Sequence, residues 1–155
     1  ANVFAHLAAK YGLCCLTLGA PGGQFWQPKE GLILALSRTH AARVVLYPDS
    51  GAVNNRMVML AYFRTFHALI FDIGLKVSVA WWEQSSKDED LDPDDFLNTI
   101  KSIDDLSVVK NISIKQFWHE VPDSIRSELL QSNQSSVYEI ALKWSDWAYC
   151  DDARA

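Results

Sequence analysis

Cysteine is scarce in this 155-residue chain: there are three, with Cys14 and Cys15 adjacent in an apolar run and Cys150 near the end. Thiols so placed make no disulfide framework, and none belongs to a Cys-x-x-Cys pair or a His/Cys cluster with zinc-ligand spacing. A reducing compartment is expected. Long apolar runs are missing too. None reaches the roughly 18 residues that a membrane-spanning helix requires, and the residues from Ala1 onward read as neither a signal peptide nor a polybasic anchor. A cytoplasmic protein without a membrane partner is therefore expected. Basic charge is in deficit, with 14 Lys and Arg against 19 Asp and Glu and a net charge of −5. A free-standing nucleic-acid-binding module is usually basic, because phosphate neutralisation drives its affinity. The acidic balance suits a metal site or a partner-binding surface better. No Gly-x-Ser-x-Gly nucleophile motif occurs, which ranks a hydrolase low. The loop at 19–23 lacks the Lys-Ser/Thr ending of a phosphate-cradling loop, and the four histidines show no metal spacing.

What is present points to a folded α/β domain. Apolar residues make up 49% of the chain and six tryptophans contribute to a 12% aromatic content, which argues against disorder. Residues 2–11 pattern as a helix and 13–18 as a buried strand. A helix is expected over 30–39 and a strong buried strand over 43–47. The turn Pro48-Asp49-Ser50-Gly51 leads to a long amphipathic helix over 54–74, with Val58, Ala61, Tyr62, Leu69 and Ile73 on one stripe and Gly74 closing it. Residues 76–82 form another strand, in which Val77, Val79 and Trp81 alternate. Strands separated by helices imply parallel pairing through right-handed crossovers.

Beyond this point the pattern is helical. Asp92 reads as an N-cap, Pro93 as a first helical residue, and Asp94 and Asp95 as acids favoured by the helix dipole, in a helix over 92–100. Ser113 to Gln116 and Ser136 to Glu139 both resemble capping boxes. Pro122 opens a further helix, and Trp144 and Trp147 are expected to dock the last one onto the body. The expected division is an α/β domain over 1–105 and a helical C-terminal extension over 106–155. The chain opens directly into helix-like sequence at Ala1 and reads as a piece of a longer protein.

Functional groups in parallel sheets collect at the carboxyl ends of strands. Asp49 follows one strand there. The acid-dense segment containing Glu83, Asp88, Glu89, Asp90, Asp92, Asp94 and Asp95 follows the next. Each has an ordinary role as well: Asp49 as a turn former, Asp92 as a cap, Asp88 to Asp90 as a solvated loop, and Lys87 as half of a surface ion pair. Carboxylates gathered at one sheet edge repel one another, and a hard divalent cation is the usual remedy. Mg²⁺ takes oxygen ligands, keeps several waters and can organise phosphate groups. Asn55 and Arg56, at the start of the long helix, are placed for phosphate contact or simply for capping and solvation.

The stretch RVVLYPDSGAVNNRMVMLAYFRTFHALIFDIGLKVSVAWW, followed by KDEDLDPDDFL, resembles the Toprim core of bacterial primases. In that family a strand ends in an Asp motif, a long helix and a further strand follow, and an acidic Asp-Pro-Asp segment begins a helix. The chain is still more similar to Toprim-like domains of bacterial proteins linked to plasmid and mobile-element replication, through Pro48-Asp49-Ser50-Gly51 and the paired Trp81-Trp82. The resemblance covers roughly residues 1–100. It implies a Rossmann-like, mostly parallel sheet flanked by helices. It also implies Mg²⁺ or Mn²⁺ bound by Asp49, Asp92 and Asp94, phosphate contacts from Asn55, Arg56 and Lys87, and nucleotides or nucleic acid reached through a parent replication protein with helicase or other domains. The family's Glu-Gly motif is absent and is expected just before Ala1, and only one acid stands where the family has Asp-x-Asp. These departures keep a second expectation open, a catalytically inactive scaffold that binds other proteins. No catalytic residue is assigned.

Overall fold

The computed structural model describes residues 29–99 and 109–149, together with His6, Ala9, Lys10 and Lys101. The strand expected at 13–18 lies outside the described residues, as does most of the helix expected at 2–11; His6, Ala9 and Lys10 are helical. Helix α1 (Lys29–Thr39) leads to strand β1 (Arg43–Leu46). After a 3₁₀ turn at Ala52–Asn54, helix α2 (Arg56–His67) runs without a break into a π-helical turn, Ala68–Ile73. Gly74 ends it at φ 77°, a left-handed conformation that glycine adopts without steric cost, and its N–H closes back on the Leu69 carbonyl. Strand β2 (Lys76–Trp81) and the short helix α3 (Pro93–Asn98) follow.

Strands β1 and β2 pair in parallel, with Arg43 opposite Lys76 and Leu46 opposite Val79. The crossover between them is α2, as the sequence pattern required. The sheet is nevertheless mixed. Strand β3 (Lys110–Ile112) adds to the other side of β2 in antiparallel register, with Val79 opposite Ile112 and Trp81 opposite Lys110. Among the described residues the order is thus β1-β2-β3, a small sheet flanked by helices. β3 escaped the sequence reading because three residues, with only Ile112 clearly apolar, carry no period of their own. Its place is set by the unsatisfied edge of β2. Lying between two partners, β2 is buried on both faces from Val77 to Trp81, Ser78 and Ala80 included, where simple alternation had been expected.

Four helices complete the fold: α4 (Ile114–Glu120), α5 (Asp123–Gln131), α6 (Ser135–Lys143) and α7 (Ser145–Ala148). The expected capping box of α4 forms in full: Ser113 accepts from the Gln116 N–H, and the Gln116 side chain accepts from the Ser113 N–H. The second expected box does not form. Helix α6 begins two residues earlier, at Ser135, with Gln134 rather than Ser136 at the N-cap and no side-chain cap. That start turns Tyr138 and Ala141 fully into the core, and packing of this kind outweighs a cap worth about 1 kcal/mol.

The core is aromatic. Phe63 of α2 meets Phe66, Trp118 and Tyr138 with ring centroids 5.1–5.3 Å apart. Phe117 of α4 sits between Tyr62, Phe66 and Trp81 at 5.7–6.4 Å. Trp81 therefore packs under α4. Buried residues before 82 and after 113 belong to one cluster, so helices α4–α7 share the core of the sheet. Trp144 and Trp147 dock the last helices only at the rim: they are 42% and 45% exposed, with Trp144 edge-on to Phe71 at 6.1 Å and the Lys76 ammonium 3.8 Å over the Trp147 ring, while Tyr138, Ala141 and Ala148 make the buried contact.

The Tyr138 hydroxyl is buried with no hydrogen-bond partner among the described residues. A buried hydroxyl without a partner forfeits its hydration for nothing in return. Tyr138→Phe is expected to leave stability unchanged or raise it by about 1 kcal/mol, measured from urea unfolding midpoints; a clear loss would contradict the assignment.

Candidate functional site

Both parallel strands leave the sheet at the same edge, and the segments that follow them are stitched together there. After β1 the chain passes through Tyr47 and buried Pro48 into the turn at Asp49, Ser50 and Gly51. The Ala52 N–H donates to the Asp49 carbonyl at 3.1 Å and the Asn54 N–H to that of Gly51 at 3.0 Å, which builds the 3₁₀ turn. Gly51 has φ 72°. A Cβ there would also lie 2.9 Å from the Lys87 Cβ and 3.0 Å from the Lys87 nitrogen. Backbone conformation and close approach both demand glycine at this position.

The segment after β2 doubles back over this turn. Glu83 takes up φ 70°, rare for a residue with a side chain, and the reversal carries Gln84 inward to complete burial. The Gln84 carbonyl accepts from the Gly51 N–H at 2.9 Å, and the Ser85 carbonyl accepts from the Asn54 side chain at 2.6 Å. Asp90 accepts from the Ser86 N–H at 2.7 Å and so shapes its own loop. Trp82 stacks on Phe96 at 4.4 Å, nearly parallel, and donates its indole N–H to the Leu91 carbonyl. Trp82 thus lies on the opposite face from Trp81, as strand alternation demands.

Asp92 stands at the N-cap position of α3, where its carbonyl accepts from the Phe96 N–H at 2.8 Å, but its side chain makes no cap. Its Oδ1 instead accepts from both the N–H and the hydroxyl of Ser50, at 2.8 and 2.7 Å, across 42 residues of sequence. Magnitudes explain the preference. A side-chain cap contributes about 1 kcal/mol, whereas hydrogen bonds to a charged acceptor contribute roughly 1.5–3 kcal/mol each.

This bridge sets Asp92 beside the turn that carries Asp49. Asp49 is exposed, yet its carboxyl is held above the usual value of 3.8, first by partial burial and then by the Asp92 and Asp94 charges. Asp94 is an exposed first-turn acid of α3. The three acids named from the sequence therefore share one edge, and the charges of Asp92 and Asp94 reach Asp49. Among the described residues, no group of three or more His, Cys, Asp or Glu side chains is gathered closely enough to hold a metal ion by itself. The donor set consists of hard carboxylate oxygens under mutual repulsion, which fits a cation such as Mg²⁺ that takes few protein ligands and completes its shell with water.

The phosphate-binding candidates are less well assembled. The Asn55 side-chain oxygen is occupied as the cap of α2, accepting from the N–H groups of Met57 and Val58 at 3.0 and 3.2 Å. Arg56 is exposed, with its guanidinium 3.8 Å from Glu128, an ion pair worth at most about 1 kcal/mol. Lys87 is exposed and approaches Gly51 through its backbone and Cβ. Sequence reasoning missed Ser50 and Gln84. Ser50 stood beside the named Asp49, but its partner is remote in sequence, and a lone Gln after two tryptophans carries no pattern at all.

These elements define an α/β protein with an acidic, hydrogen-bonded sheet edge. No family model matches the chain, and comparisons with curated proteins and with solved structures yield no significant match.

Gly51→Ala is expected to destabilise the chain by about 2 kcal/mol, from the left-handed backbone and the Lys87 contact together, read as a lowered thermal midpoint. For Asp49, ionisation is harder in the folded chain than in the unfolded one. The stability that its protonated form lends is complete below pH 3.8 and is lost as pH rises through the higher folded value. In metal-free buffer, Asp49→Asn should therefore match the wild type at low pH and melt higher at pH 7. Equal melting at pH 7 would show that neither burial nor the Asp92 and Asp94 charges penalise the Asp49 carboxylate.

Proposed function

We propose that this chain is a Toprim-like domain of a cytoplasmic replication protein of primase or primase-helicase type, acting with Mg²⁺ or Mn²⁺ on the phosphates of nucleotides or nucleic acid. The observation that carries the reading is the Ser50–Asp92 bridge. A side chain that ordinarily caps its own helix is turned toward the turn bearing Asp49. Parallel β1 and β2, with α2 as their crossover, supply the strand–Asp–helix–strand–acid order of the resemblance. Asp49 and Asp92 would hold the cation, with Asp94 adding charge at the rim. The cation would supply charge neutralisation for phosphate oxygens. No helix among the described residues is long and apolar enough to cross a membrane. The overall acidic balance leaves the holding of DNA or RNA to other domains of the parent protein.

A second reading, a catalytically inactive interaction module, draws on a different observation. Phe71, Trp144 and Trp147 are all more than 40% exposed and contact one another in a row on the helical side.

Calorimetric titration of Mg²⁺ and Mn²⁺ distinguishes the two. The first reading expects binding by the wild type that is lost in both Asp49→Asn and Asp92→Asn. The second substitution keeps an acceptor for the Ser50 N–H and so preserves the fold. Absence of binding in the wild type would favour the interaction module.

A further inference from the structure

The acidic edge is assembled from two segments that share no strand, so something must fix the distance between them. We propose that Gln84 is the positioning residue of this edge, a buried amide that locks the turn bearing Asp49 to the segment leading to Asp92. The inference rests on the acidic-edge reading above and deepens it.

Gln84 is 0% exposed, in a place where a polar side chain is costly unless every group is matched. All of its side-chain groups are matched, and the partners come from both segments. Its Nε2 donates to the Pro48 carbonyl at 3.3 Å, on the β1 side, and to the Ala80 carbonyl at 3.2 Å, within β2. Its Oε1 accepts from the Trp82 N–H at 2.9 Å. Its own carbonyl accepts from the Gly51 N–H, two residues beyond Asp49. Pro48 and Gly51 flank Asp49 and Ser50, so one residue grips the turn on both sides. The left-handed backbone at Glu83 is the local cost of turning this side chain inward. An apolar residue of equal length would fill the space and leave the Pro48 and Ala80 carbonyls and the Trp82 N–H without these partners. Ser50 then presents its N–H and hydroxyl to Asp92 from a turn already held in place, which is what a fixed Asp49–Asp92 separation requires.

The test uses the whole chain with Gln84→Met, and Val121→Ala as a control. Val121 is equally buried but lies between α4 and α5. Amide hydrogen exchange by NMR and Mn²⁺ affinity by electron paramagnetic resonance are read for each. In Gln84→Met, exchange at Ser50 and Gly51 is expected to accelerate about tenfold beyond any global change, and Mn²⁺ affinity to fall about tenfold, the usual scale for losing a supporting contact around a metal site. In the control, those two amides and the affinity should follow global stability alone. If Gln84→Met does not fold, Gln84→Asn, which keeps an amide one methylene too short, should loosen the same two amides. Ser50 and Gly51 exchanging no faster than in the control would overturn the positioning role. A wild type that binds no Mn²⁺ would overturn the metal reading, and the exchange data would still decide whether Gln84 holds the turn.

Discussion

Parallel pairing of β1 with β2 is the constraint from which the remaining architecture follows. Two parallel neighbours cannot be joined by a tight turn, so a long crossover must return the chain to the starting edge, and α2 with its π-helical extension does so. The same pairing sends both strands out at one edge. Asp49 and the acid-dense segment are consequently neighbours, although more than 40 residues separate Asp49 from Asp92. With β3 added antiparallel on the other side, β2 is buried from Val77 to Trp81, and the later helices are tied to the same sheet.

Neighbouring carboxylates work against folding. The raised protonation range of Asp49 is the sign of that conflict, and its causes are partial burial and then Asp92 and Asp94. The edge is held regardless, by contacts that are individually modest: Ser50 to Asp92, Gly51 and Pro48 to Gln84, Asn54 to Ser85. Opposed forces of this kind are common where a site is built for a ligand that later supplies the missing charge. The aromatic core provides the surplus stability. Phe63, Phe66, Phe117, Trp118 and Tyr138 interlock behind α2.

The legible parts of this chain were those with a local physical signature. The period of α2 and the apolar runs of β1 and β2 announced themselves, and so did the capping box at Ser113 and the stop at Gly74. That Asp49, Asp92 and Asp94 lie at one edge of the sheet followed from strand order. Features that depend on remote partners were hidden. β3 is too short to show a period. Trp144 and Trp147 do reach Phe71 and Lys76, but nothing local showed that Tyr138, Ala141 and Ala148 carry the buried part of the contact. The Ser136 box was overridden by the packing of Tyr138.

Asp92 marks the boundary between the two kinds of information. Its sequence context, before a proline and two further acids, determined that a helix would begin there, because capping and dipole effects act within one turn. Only the tertiary structure decided where its carboxylate points, because that choice compares a local cap with bonds to Ser50 that exist only once β1 and β2 are side by side. Gln84 is a similar case. Two of its four hydrogen bonds, to Ala80 and Trp82, lie within its own segment, but those to Pro48 and Gly51 exist only once the two loops meet.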